Sequence, residues 1–461
     1  MGDLQVRNIT EEQAYNLYPG PSDYVHLHSH TIYSLLDGVA KPEDYFIKCV
    51  ERKWPAVAIT EHGVLNSLPD GYFASKKFGI KFIAGVEAYM NDYEPYRQKI
   101  NREGGKIADV KATNVDLASR ISRNRHLTVL CKNEVGYSNL LKINRVAWED
   151  GFYYKPRVWF DLLAKYHEGL IILSGCLNGP VCHELRNGNF ASKDYITGAV
   201  DYVKKFKEVF KDDYYIELQM PGIDGDRKLF KQLIDIADRF KLKTILSNDA
   251  HYVQRKDYAI QKIMMAIDQQ TTVDDPNLWH VNSDEQFFKT RYELRATFML
   301  NGYVDLVPIS VFESSCDNTL EVADKCKSFK PDTSPKLPKI KDADRELCLL
   351  ALRGLKERGI DKDETRFLMD GREVTYREQM QIELGRFIEK GFSSYFLITR
   401  DLIQESLRHG LPLGPCRGSS GGSLVCYLIG ITALNPMLWG TSFDRFLSPS
   451  RGGNMLKISM D

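Results

Sequence analysis

Asp23-Tyr24-Val25-His26-Leu27-His28, with Asp37-Gly38 shortly after it, is the stretch on which the fold turns. It is a short apolar run with metal-ligand side chains at one end, and five later runs repeat the pattern. Ala56-Val57-Ala58-Ile59-Thr60 leads into Glu61-His62-Gly63, and Lys81-Phe82-Ile83-Ala84-Gly85-Val86 meets Glu87. His126 opens Leu127-Thr128-Val129-Leu130, and Leu170-Ile171-Ile172-Leu173 ends at Ser174-Gly175-Cys176. Lys243-Thr244-Ile245-Leu246 ends at Ser247-Asn248-Asp249-Ala250-His251. Runs this short and rich in Val and Ile read as buried strands. In a β/α barrel, reactive side chains gather where strands end. Side chains on a strand alternate with period two, so His26 and His28 are expected on one face.

Each element alone has a plainer reading. A His pair is commonly a surface or core feature, Glu87 a solvated carboxylate, Cys176 a small buried apolar residue and Asp249 a turn former. Six coincidences at strand ends favour one shared metal site. Imidazole, thiolate and carboxylate together suit zinc, manganese or iron rather than magnesium or calcium. Up to nine ligands exceed the needs of one ion, so a cluster of two or three divalent metals is expected. Such a cluster leaves positions for a water and a phosphate oxygen, the arrangement of metal-assisted phosphoester hydrolysis.

His26-Leu27-His28-Ser29 with Asp37-Gly38, Thr60-Glu61-His62-Gly63, Gly85-Val86-Glu87, Leu173-Ser174-Gly175-Cys176 and Asn248-Asp249-Ala250-His251-Tyr252 resemble the PHP (polymerase and histidinol phosphatase) domain. The spacing is nearest to the version at the front of bacterial replicative DNA polymerase III alpha subunits. The resemblance implies an α/β fold, a distorted seven-stranded β/α barrel of the PHP type binding up to three metals. It carries ligand roles onto His26, His28, Asp37, His62, Glu87, His126, Cys176, Asp249 and His251. Glu61 departs from the family, which usually has Asp before the His.

Composition narrows the remaining classes. With 461 residues there is room for two or three domains with substantial cores. Lys plus Arg and Asp plus Glu balance at 62 each, so any contact with nucleic acid must come from local basic surface. Nine cysteines without a Cys-x-x-Cys pair fit free thiols in a reducing cytoplasm. The start lacks a signal sequence, and the apolar stretch Leu424 to Ile431 is far too short to span a bilayer, so no membrane role is expected.

Helix patterns lie between the early strands, at Pro42 to Lys53, Val200 to Phe210 and Lys228 to Phe240. The stretch 99–125 is basic and weakly periodic, with Lys99, Arg102, Lys106, Lys111, Arg120, Arg123 and Arg125. Its plain reading is a solvated loop; its sharper one is a lip guiding a nucleic-acid end toward the metals. Phe329-Lys330-Pro331 to Pro338 breaks regular structure. The expected organisation is therefore a PHP domain over 1–255, a helical connector and start of the next domain over 256–340, and a partial palm over 341–461.

The second motif is Gly414-Pro415-Cys416-Arg417-Gly418-Ser419-Ser420-Gly421-Gly422-Ser423, ahead of Leu424-Val425-Cys426-Tyr427-Leu428. Small residues allow close approach to an anion, and a following helix would aim its N-terminal N–H groups at a phosphate. Neither a P-loop nor a dinucleotide fingerprint is present. Together with Gly391-Phe392-Ser393-Ser394-Tyr395-Phe396, Phe443-Asp444-Arg445-Phe446-Leu447-Ser448-Pro449, Asn318 to Ala323 and Gly151 to Arg157, it is similar to polymerase III alpha, and the later motifs to its nucleotidyltransferase palm. That similarity implies an α+β palm in which Arg417, Gly418, Ser419 and Ser423 help hold an incoming nucleotide's triphosphate. Cys416 departs from the family's Gly. The family's Pro-Asp-x-Asp-x-Asp run is not found in Arg451 to Asp461, so no pair of polymerising carboxylates is expected.

The leading expectation is the front portion of a DNA-directed DNA polymerase with a PHP phosphoesterase or 3′–5′ exonuclease-type site. DNA, deoxynucleoside triphosphates, a complementing C-terminal polymerase fragment and other replication proteins would be its partners. Magnesium-dependent polymerisation would need that complementing chain. The alternatives are a free-standing metal-dependent phosphoesterase and a non-catalytic polymerase scaffold.

Overall fold

The computed structural model describes residues 9–448, apart from 188–194, 224, 281–282 and 335. The chain divides into two compact units, residues 1–330 and 331–461. The stretch Arg451 to Asp461, in which no pair of polymerising carboxylates is expected, lies outside the described residues.

The first unit is built on strands β1 (Ala56–His62), β2 (Lys81–Met90), β3 (Arg125–Cys131), β4 (Phe152–Tyr153), β5 (Lys155–Val158), β6 (Leu170–Leu173), β7 (Tyr214–Leu218) and β8 (Thr244–Leu246). They form one eight-stranded sheet in the order β4-β5-β2-β3-β6-β7-β8, with β1 also paired to β2. The count exceeds the expected seven because the two-residue β4 forms a short hairpin arm with β5. Pairings β1–β2, β6–β7 and β7–β8 are parallel, whereas β3 runs antiparallel to both β2 and β6.

Alternation along the strands sorts residues into two faces. Val57 and Ile59, Phe82, Ala84 and Val86, and Leu170 and Ile172 face outward into the larger core with the surrounding helices. Ala58, Ile83, Leu130, Ile171, Tyr215 and Ile245 face inward and meet Val322, Ala323 and Cys326, which cover one end of the sheet. The inward column turns polar toward the other end: Thr60 and His62 follow Ala58, Glu87 lies four residues beyond Ile83, and Glu217 follows Tyr215. Gly85 occupies this inner face because a Cβ there would lie 2.7 Å from Leu130 and 2.8 Å from the Val129 carbonyl oxygen.

The opening motif does not form a regular strand. It lies between β1 and residue 250, closing the barrel through single contacts: Ala58 N–H to the His26 carbonyl, Thr60 N–H to the Ser29 carbonyl, and a parallel bridge of Ser29 with Ala250. The accepting carbonyls are three residues apart where the donors are two apart, so one residue is extra. This is the geometry of a bulge, and it breaks the period-two alternation.

Helices follow the predicted positions. Pro42–Arg52 starts with Pro, and the Lys41 N–H donates to Asp44 at 2.8 Å. The basic stretch is helical rather than a loop, comprising Glu94–Arg102, Ile107–Thr113 and Val115–Ser122. Asn91 and Arg157 explain the end of the third helix, since their side chains donate to its last carbonyls. Helices Arg291–Leu300 and Ile309–Lys325, within the stretch read as a connector, pack in the first unit.

The second unit packs helices Ala343–Glu357, Tyr376–Glu389, Ser393–Arg408 and Leu424–Leu428 around Leu347, Ala351, Phe387, Phe396 and Val425. A hairpin of β9 (Phe367–Met369) and β10 (Arg372–Val374) is its only sheet among the described residues.

Candidate metal centre

Glu87, buried near the end of β2, is the hub of the inner face. Its Oε1 lies 3.0 Å from His126 Nδ1 and 3.4 Å from His28 Nε2. Its Oε2 lies 2.6 Å from His62 Nδ1 and 3.5 Å from His30 Nε2. Asp249 Oδ1 reaches His30 at 3.2 Å, His28 at 3.3 Å and His251 at 3.6 Å. Asp37 Oδ2 lies 3.0 Å from His62 Nε2 and 3.3 Å from His251 Nε2. Cys176 Sγ completes the rim, 3.5 Å from His126 Nδ1. Its loop turns at Gly175, whose φ of +86° and approach to the His126 carbonyl leave no room for a side chain.

Eight of the nine predicted ligands thus meet in one place, and His26 does not. The bulge turns His26 to the opposite face, where its ring stacks on Phe288 at 3.9 Å and its Nε2–H donates to the Lys289 carbonyl. His30 stands in the cluster instead, sharing the inner face with His28. Plain alternation already puts His30 on the face of His28; the expected ligand pair stopped at the first His-x-His, and the extra residue accounts only for the loss of His26. The signal was present in His28-Ser29-His30, a second His-x-His overlapping the first.

Buried polar atoms test the fit of metals to this site. His28 Nε2, His30 Nε2, His62 Nδ1, both Glu87 oxygens and Asp249 Oδ1 are buried without a hydrogen-bond partner. Such atoms are rare unless a partner of another kind satisfies them. Three-ligand groups occur at His30, His62 and His251, at His28, His30 and Glu87, and at His62, Glu87 and His126. The donor set fits divalent metals.

Electrostatics agree with that fit. Burial opposes charge on Glu87, but His126, His62 and His28 outweigh it and hold the carboxyl well below its usual range. Burial likewise opposes charge on His28, and Asp249, Glu217 and Glu87 outweigh it. Burial lowers His30 to about 3, with repulsion from His62 and His251 adding to it. The rings therefore compete for a limited set of carboxylates.

Glu217 was not foreseen. Its Oε1 accepts from His28 Nδ1 at 2.7 Å and from Ser247 Oγ at 2.5 Å, and Oε2 accepts from Thr128. This fixes the His28 ring with Nε2 toward Asp249 and Glu87, the outer-shell arrangement that orients metal-ligating histidines. Glu61, the departure from the family, accepts from Thr31 N–H, Thr31 Oγ1 and Ser34 Oγ, anchoring the turn that follows the two histidines.

In the second unit, Arg417, Gly418 and Ser419 lie on an exposed loop, and Gly418 has a φ of +79°. Ser423 is placed differently from the expectation. It is buried, its hydroxyl donates to Glu383 Oε2 at 2.7 Å, and it accepts from Cys426 N–H. The Leu424 and Val425 N–H groups, expected to face a phosphate, also donate to Glu383. A buried carboxylate thus occupies the helix N-terminus for the same electrostatic reason a phosphate would.

The family model described as "PHP domain" matches residues 26–221, and "Bacterial DNA polymerase III alpha NTPase domain" matches residues 349–455. "DNA polymerase III subunit alpha" of Aquifex aeolicus is 36% identical over 93% of this chain and 35% of its own length. The Borreliella burgdorferi protein of the same name is 32% identical over 93% and 34%. The chain spans about a third of the length of these relatives. A solved amidohydrolase from Chromobacterium violaceum aligns with 50% of this chain and 87% of its own at a TM-score of 0.26 and 15% identity.

Proposed function

Since the chain is a member of the bacterial DNA polymerase III alpha family over the family's N-terminal PHP and NTPase regions, we propose that its first unit hydrolyses phosphoesters at a nucleic-acid 3′ end. His28, His30, Asp37, His62, Glu87, His126, Cys176, Asp249 and His251 would hold two or three ions of zinc, manganese or iron. Bound divalent ions supply Lewis acidity and a nucleophile at neutral pH. Within the chain, Glu217 orients His28, Glu87 bridges four imidazoles, and Asp37 holds His62 and His251.

The observation that carries this reading is Glu87, whose two buried oxygens lack hydrogen bonds while four imidazoles converge on them. Elemental analysis of chain purified without chelator is expected to give more than one metal per molecule. Degradation of an end-labelled single strand with added manganese or zinc is expected to fall at least about a hundredfold in Glu87→Ala. Equal degradation by both chains would remove the reading.

For the second unit, the reading assigns Arg417, Gly418 and Ser419 to the triphosphate of an incoming deoxynucleotide. Ser423 supports their loop from below through Glu383. DNA synthesis, magnesium binding for it, a complementing polymerase chain and a cytoplasmic setting with other replication proteins belong to the same proposal. No described helix is long and apolar enough to cross a membrane. Primer extension is expected only when a C-terminal polymerase fragment is mixed with this chain; extension by the chain alone would refute that part.

A further inference from the structure

Arg125 and His126 are neighbours on β3, so their side chains leave on opposite faces. His126 faces Glu87 and the cluster, while Arg125 faces a separate cavity of about 570 Å³. Arg120, Arg123, Lys205 and His183 also line that cavity, and none of the clustered ligands does. Three residues of the basic stretch, Arg120, Arg123 and Arg125, thus gather at a cavity that none of the clustered ligands lines.

Two guanidinium groups there share one weak acceptor. Arg125 lies 2.6 Å and Arg123 3.3 Å from the same nitrogen, His183 Nε2. Among the described residues neither has a carboxylate within ion-pair distance. The cavity's acids are engaged or turned to water. Asp92 accepts from Phe160 N–H, Glu184 sits 3.3 Å from His183 Nδ1, and Asp201 is exposed. The fixed fork of five donors on a guanidinium, half-buried at Arg125 and exposed at Arg123, matches a planar or tetrahedral oxyanion.

We propose that this cavity is a phosphate-binding site, in which Arg123 and Arg125 donate to the oxygens of one phosphate group with Lys205 beside them. A small phosphate anion and a strand phosphodiester offer the same chemistry. The site is independent of the metals, so it stands or falls separately from the phosphoesterase reading.

The test titrates the full-length chain with inorganic phosphate, by calorimetry, and with a fluorescently labelled single-stranded oligonucleotide, by anisotropy. Arg123→Gln, Arg125→Gln and, as an outside control, Arg102→Gln are compared at fixed ionic strength. Each cavity variant is expected to weaken binding roughly tenfold, with Arg102→Gln within twofold of the unaltered chain. Arg123 is exposed, so its variant tests the site even where Arg125→Gln disturbs packing; Arg125→Lys should recover part of the affinity. Weakening for both probes, or for phosphate alone, supports the site and assigns a small anion as one ligand. Weakening for the oligonucleotide alone supports it and assigns the strand. Affinities unchanged in Arg123→Gln, or lowered equally in Arg102→Gln, overturn it. Metal content, measured alongside, is expected to stay constant in every variant.

Discussion

Glu217 belongs to none of the three-ligand groups, yet it sets which nitrogen of His28 is offered to the cluster. Replacing it with Gln keeps the shape but leaves a weaker acceptor for His28 Nδ1–H. Metal affinity is expected to fall about 10- to 100-fold, measured by competition with a chromogenic chelator. His26 and His30 make a paired prediction. His30→Ala should lower the number of bound metals with little change in the packing around Phe288. His26→Ala should leave the metal count intact and cost about 1–3 kcal/mol of stability, read from denaturant midpoints, because it empties a stack between Phe288 and Trp54. The histidine types were legible in the sequence and their assignment to faces was not. Periodicity gives a face only while each residue pairs once, and the extra residue between His26 and Ser29 leaves no mark in composition. Glu217 was hidden for a different reason: one acidic residue in Tyr214-Tyr215-Ile216-Glu217-Leu218 looks like an ordinary exposed strand position.

At the scale of elements, β1, β2, β3, β6 and β8 were readable as short apolar runs with a ligand at or just beyond one end, whereas the opening run forms no regular strand and β4, β5 and β7 carried no such signal. The short helix Leu424–Leu428 was also foreseen, but not what satisfies its N-terminus, because Glu383 lies forty residues upstream. Burial pushes Glu383 up to about 7 from 4.5, against the Val425, Ser423, Gln379 and Leu424 donors. With the folded value above the unfolded one, the folded unit holds the proton longer. The stabilising contribution is therefore full below the unfolded value and is lost as pH rises through the folded one. The loss between these limits is about 3 kcal/mol. Urea midpoints of the second unit should fall as pH rises through that window, and Glu383→Gln should flatten the profile. Gly85→Ala belongs here as well: its Cβ would press on Leu130 and the Val129 carbonyl, for an expected loss of about 1–3 kcal/mol.

Across the whole molecule, each unit has its own core, and only the first holds the cluster. Calorimetry should resolve two transitions, and zinc or manganese at a hundredfold excess over Kd should add about 2.7 kcal/mol per occupied site to the first alone. A metal-independent first transition would count against the ligand assignment. The barrel's closing seam has a further consequence, in the time taken by synthesis. Ser29 bridges Ala250, so the first ligands made wait for the last. At about 5–20 residues per second on the ribosome, His28 and His30 emerge roughly 10–45 seconds before Asp249 and His251 can join them. Nascent chains arrested before β8 should therefore bind metal no more tightly than an unfolded His-rich peptide. In the growing cell, metallation of this protein would be clocked by translation, with ions captured only after the seam has closed.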